Sequence, residues 1–171
     1  MRKILFLILI ISLVFACRSL KNGLVTESKQ SVAVDQFLEK PFGESETIAS
    51  LKKQFSKDVK LKRMIRRNKH DSQKVDTIFQ FYYRKSEVFV YKTYFNREML
   101  LGGVITDNKF PLLNGVVPGM SRDNFFKSFK DLNTNQADSI NLYSKELMRK
   151  FIFIFDKKGV LKKIDFSSYV D

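Results

Sequence analysis

KFIFIFDKKGVLKKIDF, residues 150–166, decides how this chain reads. Phe151 to Phe155 is an apolar run of strand length. Asp156-Lys-Lys-Gly159 is a turn sequence, with Gly placed where a positive φ is wanted. Val160 to Tyr169 then alternates, with Val160, Lys162, Ile164 and Phe166 on one row and Leu161, Lys163 and Asp165 on the other. Two such runs joined by a short polar turn predict an antiparallel hairpin, and hence a fold built on antiparallel sheet.

The pattern extends outward from that hairpin. Ser139 to Ser144 alternates Ile140 and Leu142 against Asn141 and Tyr143, which predicts another strand. Asn133 to Ala137 reads as a loop. Ser121 is a good N-cap, Asp123 suits the first turn of a helix, and Phe125, Phe126 and Phe129 form its apolar face. Further back, Arg97–Thr106, Glu87–Phe95 and Asp76–Arg84 read as strands, with a tight turn at Arg84-Lys-Ser86. Gly102-Gly103 predicts a bulge or bend. Val59 to Ile65 alternates Val59, Leu61 and Ile65 with basic residues, and Arg63 breaks the inner row. Asn68 to Lys74 is a polar turn. Ser45 or Thr47 caps a helix running to about Phe55 on the face of Ile48, Leu51 and Phe55. Asp35 to Gly43 is a short helix or strand ended by Pro41 and Gly43. The expected class is α+β, with short helices packed on an antiparallel β-meander.

The folded part also reads as a pseudo-repeat of a short helix followed by about three strands. Gly43-Glu-Ser45 opens one helix and Gly119-Met-Ser121 the other, 76 residues apart. The expectation is one domain, 35–171, with lobes 35–110 and 111–171.

Ahead of the domain, Met1-Arg2-Lys3 is a positive end, and Ile4 to Phe15 is apolar apart from Ser12. That run fits a secretory signal and is short for a hydrocarbon core of roughly 30 Å. Ala16 is the small residue a signal peptidase needs, and Cys17 is the chain's one cysteine. A plain secretory signal or a short N-terminal membrane helix are the alternatives, and both leave the solitary Cys unexplained. Arg18 to Val34 is polar and aperiodic, a tether.

Val14-Phe15-Ala16-Cys17 resembles the lipobox of bacterial lipoproteins, although Phe15 is bulkier than the residue usual there. The resemblance implies removal of residues 1–16, a diacylglycerol on the Cys17 sulfur and acylation of its amino group. It implies a bacterial cell-envelope protein held at the outer membrane through fatty-acyl chains such as palmitate. Gly115-Val-Val-Pro-Gly-Met-Ser121, its helix and the strand hairpin resemble the small lipoproteins of the outer-membrane assembly type. They also resemble the β-lactamase-inhibitor-like fold. That second resemblance implies a protein-binding or assembly role without catalysis.

Composition narrows the function classes. The formal charge is +13, or +11 without Arg2 and Lys3. A basic chain favours anionic partners, and export makes nucleic acid a poor one. His70 is the single histidine, in the basic stretch Arg66-Arg-Asn-Lys-His70-Asp71, so no His/Cys metal set can be built. Phosphate-cradling Gly loops and Gly-x-Ser-x-Gly elbows are absent from the sequence. Neither catalytic residues, cofactor nor metal are expected. Residues 52–74 hold ten Lys or Arg against Asp58 and Asp71. Lys60, Lys62, Arg63, Arg66 and Arg67 are the candidate contacts to anionic head groups or to an acidic envelope protein. Alternation puts Lys60, Lys62 and Arg66 on one strand face, where they also serve to protect an edge strand from aggregation. Phe79, Phe81, Tyr82, Tyr83, Phe89, Tyr91 and Tyr94 enrich both faces of their strands, so a sheet covered on one side must turn some tyrosines outward. The expected function is an anchored, non-enzymatic binding or assembly module. The alternative is a carrier holding a lipid or other apolar ligand in a Phe-lined cavity.

Overall fold

The computed structural model describes residues 31–68 and 70–168. Cys17, the signal segment and most of the tether lie outside the described residues. The rest folds as the alternation of apolar residues dictates. β1 (Lys60–Arg67), β2 (Val75–Tyr83), β3 (Ser86–Lys92) and β4 (Glu98–Ile105) make one antiparallel meander. β5 (Ser139–Ser144), β6 (Arg149–Phe155) and β7 (Leu161–Ser168) make a second. The first meander has four strands, where the sequence suggests about three. Both belong to one seven-stranded sheet of order β1-β2-β3-β4-β7-β6-β5. β1 and β5 are its edges.

β4 and β7 join the two meanders, with Gly102 opposite Ser167 and Ile105 opposite Ile164. The glycines predicted to mark a bulge sit at this seam. The pairing of β3 with β4 shifts between Phe89 and Val90, which face Gly102 and Leu100 and leave Leu101 as the extra residue. A Cβ on Gly103 would stand 2.2 Å from the Glu87 carbonyl oxygen, and one on Gly102 would stand 2.6 Å from that of Phe166. The strands can approach this closely only without side chains there.

Three short helices, α1 (Val34–Glu39), α2 (Ile48–Gln54) and α3 (Arg122–Lys127), lie on one face of the sheet. Thr47 caps α2 by accepting from the Ser50 N–H at 3.3 Å, and Ser121 caps α3 by accepting from the Asn124 N–H at 3.3 Å. Helices of six or seven residues are too short to hold themselves, so packing holds them. Phe37 of α1 is fully buried, with its ring centroid 5.2 Å from Phe151 and 5.3 Å from Phe129. Phe125 of α3 lies 4.7 Å from Phe153. Phe55, at the end of α2, lies 5.2 Å from Phe81 and 4.8 Å from Phe110. Phe42 joins these groups, 5.4 Å from Phe55 and 6.1 Å from Phe166. Each buried Phe stabilises the fold by roughly 1.5–3 kcal/mol through lost apolar surface. Edge-to-face pairs contribute about 0.5–1.5 kcal/mol more.

One row predicted from alternation is corrected. Leu161, not Val160 and Lys162, faces the core with Ile164 and Phe166; Leu161 and Ile164 are fully buried. The β6–β7 register shifts opposite Ile154 and Phe155, so that Phe155 pairs with Leu161 and Ile154 with Lys163. The extra residue, Lys162, lets two apolar residues three apart point inward.

Arg149 ties the helix layer to the sheet. Its guanidinium grips Glu46 bidentately, with Nη1–Oε1 and Nη2–Oε2 both 2.8 Å. It also donates to the Leu38 and Glu39 carbonyls at 2.8 and 3.1 Å, ending α1, and to Ser168 Oγ at 2.9 Å. Burial raises the Glu46 carboxyl above its ordinary 4.5, and Arg149 opposes that rise.

Candidate functional site

The helices cover one face of the sheet, and no described helix covers the other. Paired strand residues point to the same side, so the register lays out the open face in rows. Met64, Ile78, Tyr91 and Met99 form one row across β1 to β4. A second runs Lys62, Gln80, Phe89, Gly102, Ser167, Lys150. A third runs Lys60, Tyr82, Glu87, Val104, Asp165, Ile152. The apolar members are half-buried. Aromatic, aliphatic and methionine side chains thus interleave with hydrogen-bonding ones such as Gln80, which donates to Glu87 at 2.9 Å. That mixture of aromatic residues and Met with scattered polar groups is the composition of protein interfaces. Tyr82 and Tyr91 are turned outward by the one-sided helix layer, and Tyr143, paired with Lys150, joins them on that face. Phe89 belongs to the aromatics that the sequence singles out, whereas Met99, Val104 and Ile152 do not; their signal is their position between buried residues in strands apolar on both faces.

The five predicted cations all lie on β1, the strand at one edge. Register places Lys60, Lys62 and Arg66 on the open face, as alternation predicts, and Arg63 and Arg67 on the helix side. All five are exposed. Leu61 and Ile65 alternate with Arg63 and Arg67, and the helix layer does not reach them: they remain 38% and 70% exposed.

At the end of β2, Asp76 is fully shielded from solvent and accepts from the Tyr91 hydroxyl, from Asn68 Nδ2 at 2.7 Å and from the Tyr94 N–H at 2.9 Å. The Tyr91 bond first, then those from Asn68 and Tyr94, hold its carboxyl below the ordinary 3.8. Asn68 Oδ1 in turn accepts from the His70 and Asp71 N–H groups at 2.9 and 3.0 Å. The carboxylate thus pins two turns, and with its lone pairs engaged it has a structural use. His70 is exposed in that turn.

Between sheet and helices, where a carrier would hold its ligand, the Phe rings described above are in contact. A shallow depression of about 270 Å³ lies instead on the surface beside α3, lined by Asp123, Phe126, Lys127, Leu132 and Thr134. Among the described residues, no three His, Cys, Asp or Glu side chains are placed to hold a metal ion. No protein-family model, curated protein or solved structure matches this chain.

Proposed function

We propose that this chain is a lipid-anchored lipoprotein of the bacterial envelope, outer membrane included, which binds a partner protein through its open sheet face and catalyses nothing. The uncovered, aromatic-rich face carries the reading. Its carboxylates are already engaged, Glu87 with Gln80 and Asp165 with Lys163 at 2.9 Å, while Lys60 and Lys62 at one margin make no ion pair among the described residues. The matching partner has an apolar strip bordered by carboxylates. The Phe-filled interior argues against a lipid carrier. Ala16-Cys17 after an apolar run supplies the anchor, and two or more acyl chains give stable attachment where one does not.

The two halves are, on this reading, pseudo-repeats. Each has a Thr- or Ser-capped short helix ahead of its strands, and the order β2-β3-β4-β7-β6-β5 is what an approximate twofold between the halves would give. β1 is then an addition to the first half.

The test has two arms. A fatty-acid analogue labels wild type and not Cys17→Ser; equal labelling of both, or of neither, overturns the anchor. Tagged full-length protein captures a partner from solubilised native envelope, and Phe89→Glu loses that partner with its melting temperature unchanged. Equal capture by both proteins overturns the open-face reading.

A further inference from the structure

The β1 edge carries more than the margin of the open face. Lys60–Arg67 pairs with β2 on one side only. Among the described residues, no strand pairs with the row of backbone N–H and C=O groups on its other side. Among the described residues, Lys60, Lys62, Arg63, Arg66 and Arg67 form no ion pair, whereas Lys74, Lys92, Lys109, Lys162 and Lys163 each hold a carboxylate within 3.1 Å. Arg66 feels Asp76 across the strand pair, and that carboxylate is already held by three donors. Five cations without an ion pair among the described residues thus lie on one eight-residue strand.

Charges of one sign on an edge commonly guard it against pairing. Two features of β1 go beyond guarding. Its cations project to both sides of the sheet, and Leu61 and Ile65 stay exposed between Arg63 and Arg67. An edge built only to repel would gain nothing from uncovered aliphatic side chains. We infer that β1 is the docking edge for an acidic extended segment of another protein, which adds to the sheet as an eighth strand. An added strand sends its side chains alternately to the two faces. It brings carboxylates opposite Lys60, Lys62 and Arg66 on the open side and apolar residues opposite Leu61 and Ile65 on the helix side. It also pairs the free backbone row. An anionic bilayer matches the charge and takes up exposed aliphatic side chains, and it offers no strand to pair with the backbone row of β1. The inference does not depend on the lipid anchor.

The probe is an eight-residue peptide alternating Glu and Val, added to the full chain in neutral detergent. Amide hydrogen exchange is read across the protein by mass spectrometry. Exchange in residues 60–67 slows at least tenfold with the alternating peptide. It is unchanged with a peptide of the same composition whose Glu and Val are grouped in blocks, and with one N-methylated along its pairing edge. Lys62→Glu combined with Arg66→Glu, both at exposed positions, abolishes the slowing while leaving the melting temperature in place. No slowing with the alternating peptide overturns the inference. So does equal slowing by the N-methylated or block peptide, or slowing on reconstitution into vesicles containing anionic lipid with no peptide present; the last result makes the edge a lipid contact.

Discussion

Replacing Arg149 with Met removes the hub between the helix layer and the sheet. The guanidinium makes five hydrogen bonds: two to Glu46, two to the carbonyls that end α1 and one to Ser168. The Arg149 and Glu46 side chains are 11% and 19% exposed. Removing one member of such a shielded pair leaves the other charge buried alone, at a cost of about 3–5 kcal/mol. In a domain of this size that lowers the melting temperature by roughly 10 °C or more. The pH dependence follows from Glu46. Its folded value already lies above 4.5 because of burial, and loss of Arg149 removes the interaction that opposed the rise. Below pH 4.5 the carboxyl is neutral in the folded and unfolded chain alike, so its penalty is absent. The penalty grows as pH rises through the folded value. Urea unfolding of the full chain, followed by circular dichroism, should therefore give a larger deficit for Arg149→Met at pH 7 than at pH 4.5. Adding Glu46→Leu should recover about 2 kcal/mol or more at pH 7, since the stranded charge is gone. A deficit below about 1 kcal/mol, or one equal at both pH values, refutes the assignment of Arg149 as a buried ionic hub.

Three other outcomes can be checked on the same preparation. Phe37→Ala should cost about 3–5 kcal/mol in urea unfolding, because Phe37 is fully buried against three rings; a cost under 1 kcal/mol would mean α1 does not pack there. Gly103→Val should prevent recovery of folded protein, since the Cβ would stand 2.2 Å from the Glu87 carbonyl oxygen; a melting temperature near that of wild type contradicts the seam. Asp58, Asp71, Asp76 and Asp156 lie below the ordinary 3.8, held chiefly by Lys109, Lys74, the Tyr91 hydroxyl and the Val160 N–H respectively. Their stabilisation is present above pH 3.8 and is lost as pH falls through the depressed values. Stability in an acid titration should thus drop below about pH 3.8, and a flat profile from pH 4 to pH 2 contradicts these contacts.

The elements legible in sequence are those with strict periodicity or cap chemistry. Ser121 and Thr47 announce helices by the N–H groups they accept from, and the alternation of Ile140 with Leu142 announces β5. Gly102-Gly103 marks a bulge because only glycine tolerates the strand approach there. Alternation failed at Leu161, since an extra residue in one strand flips the row and leaves no trace in composition. It also could not tell which face of β2 and β3 the helices would cover. Val88, Val90 and Phe81 are buried while Phe89, Tyr91 and Ile78 are not, although all are large and apolar. The Glu46–Arg149 pair was invisible because 103 residues separate its members. Of the candidate site, the cations of β1 were legible as a run of charge. Their gathering on an edge strand came only with the pairing order, which depends on contacts remote in sequence.

On the proposed reading, the open sheet face meets a protein partner in the envelope. Site-specific photocrosslinking in native cells tests it directly, with the photoreactive group placed at Phe89 on the open face or at Lys53, which is exposed on α2 on the covered side. Binding through the open face gives one discrete crosslinked protein from Phe89 and none from Lys53. Crosslinks of equal yield to the same species from both positions, or none from Phe89, contradict it.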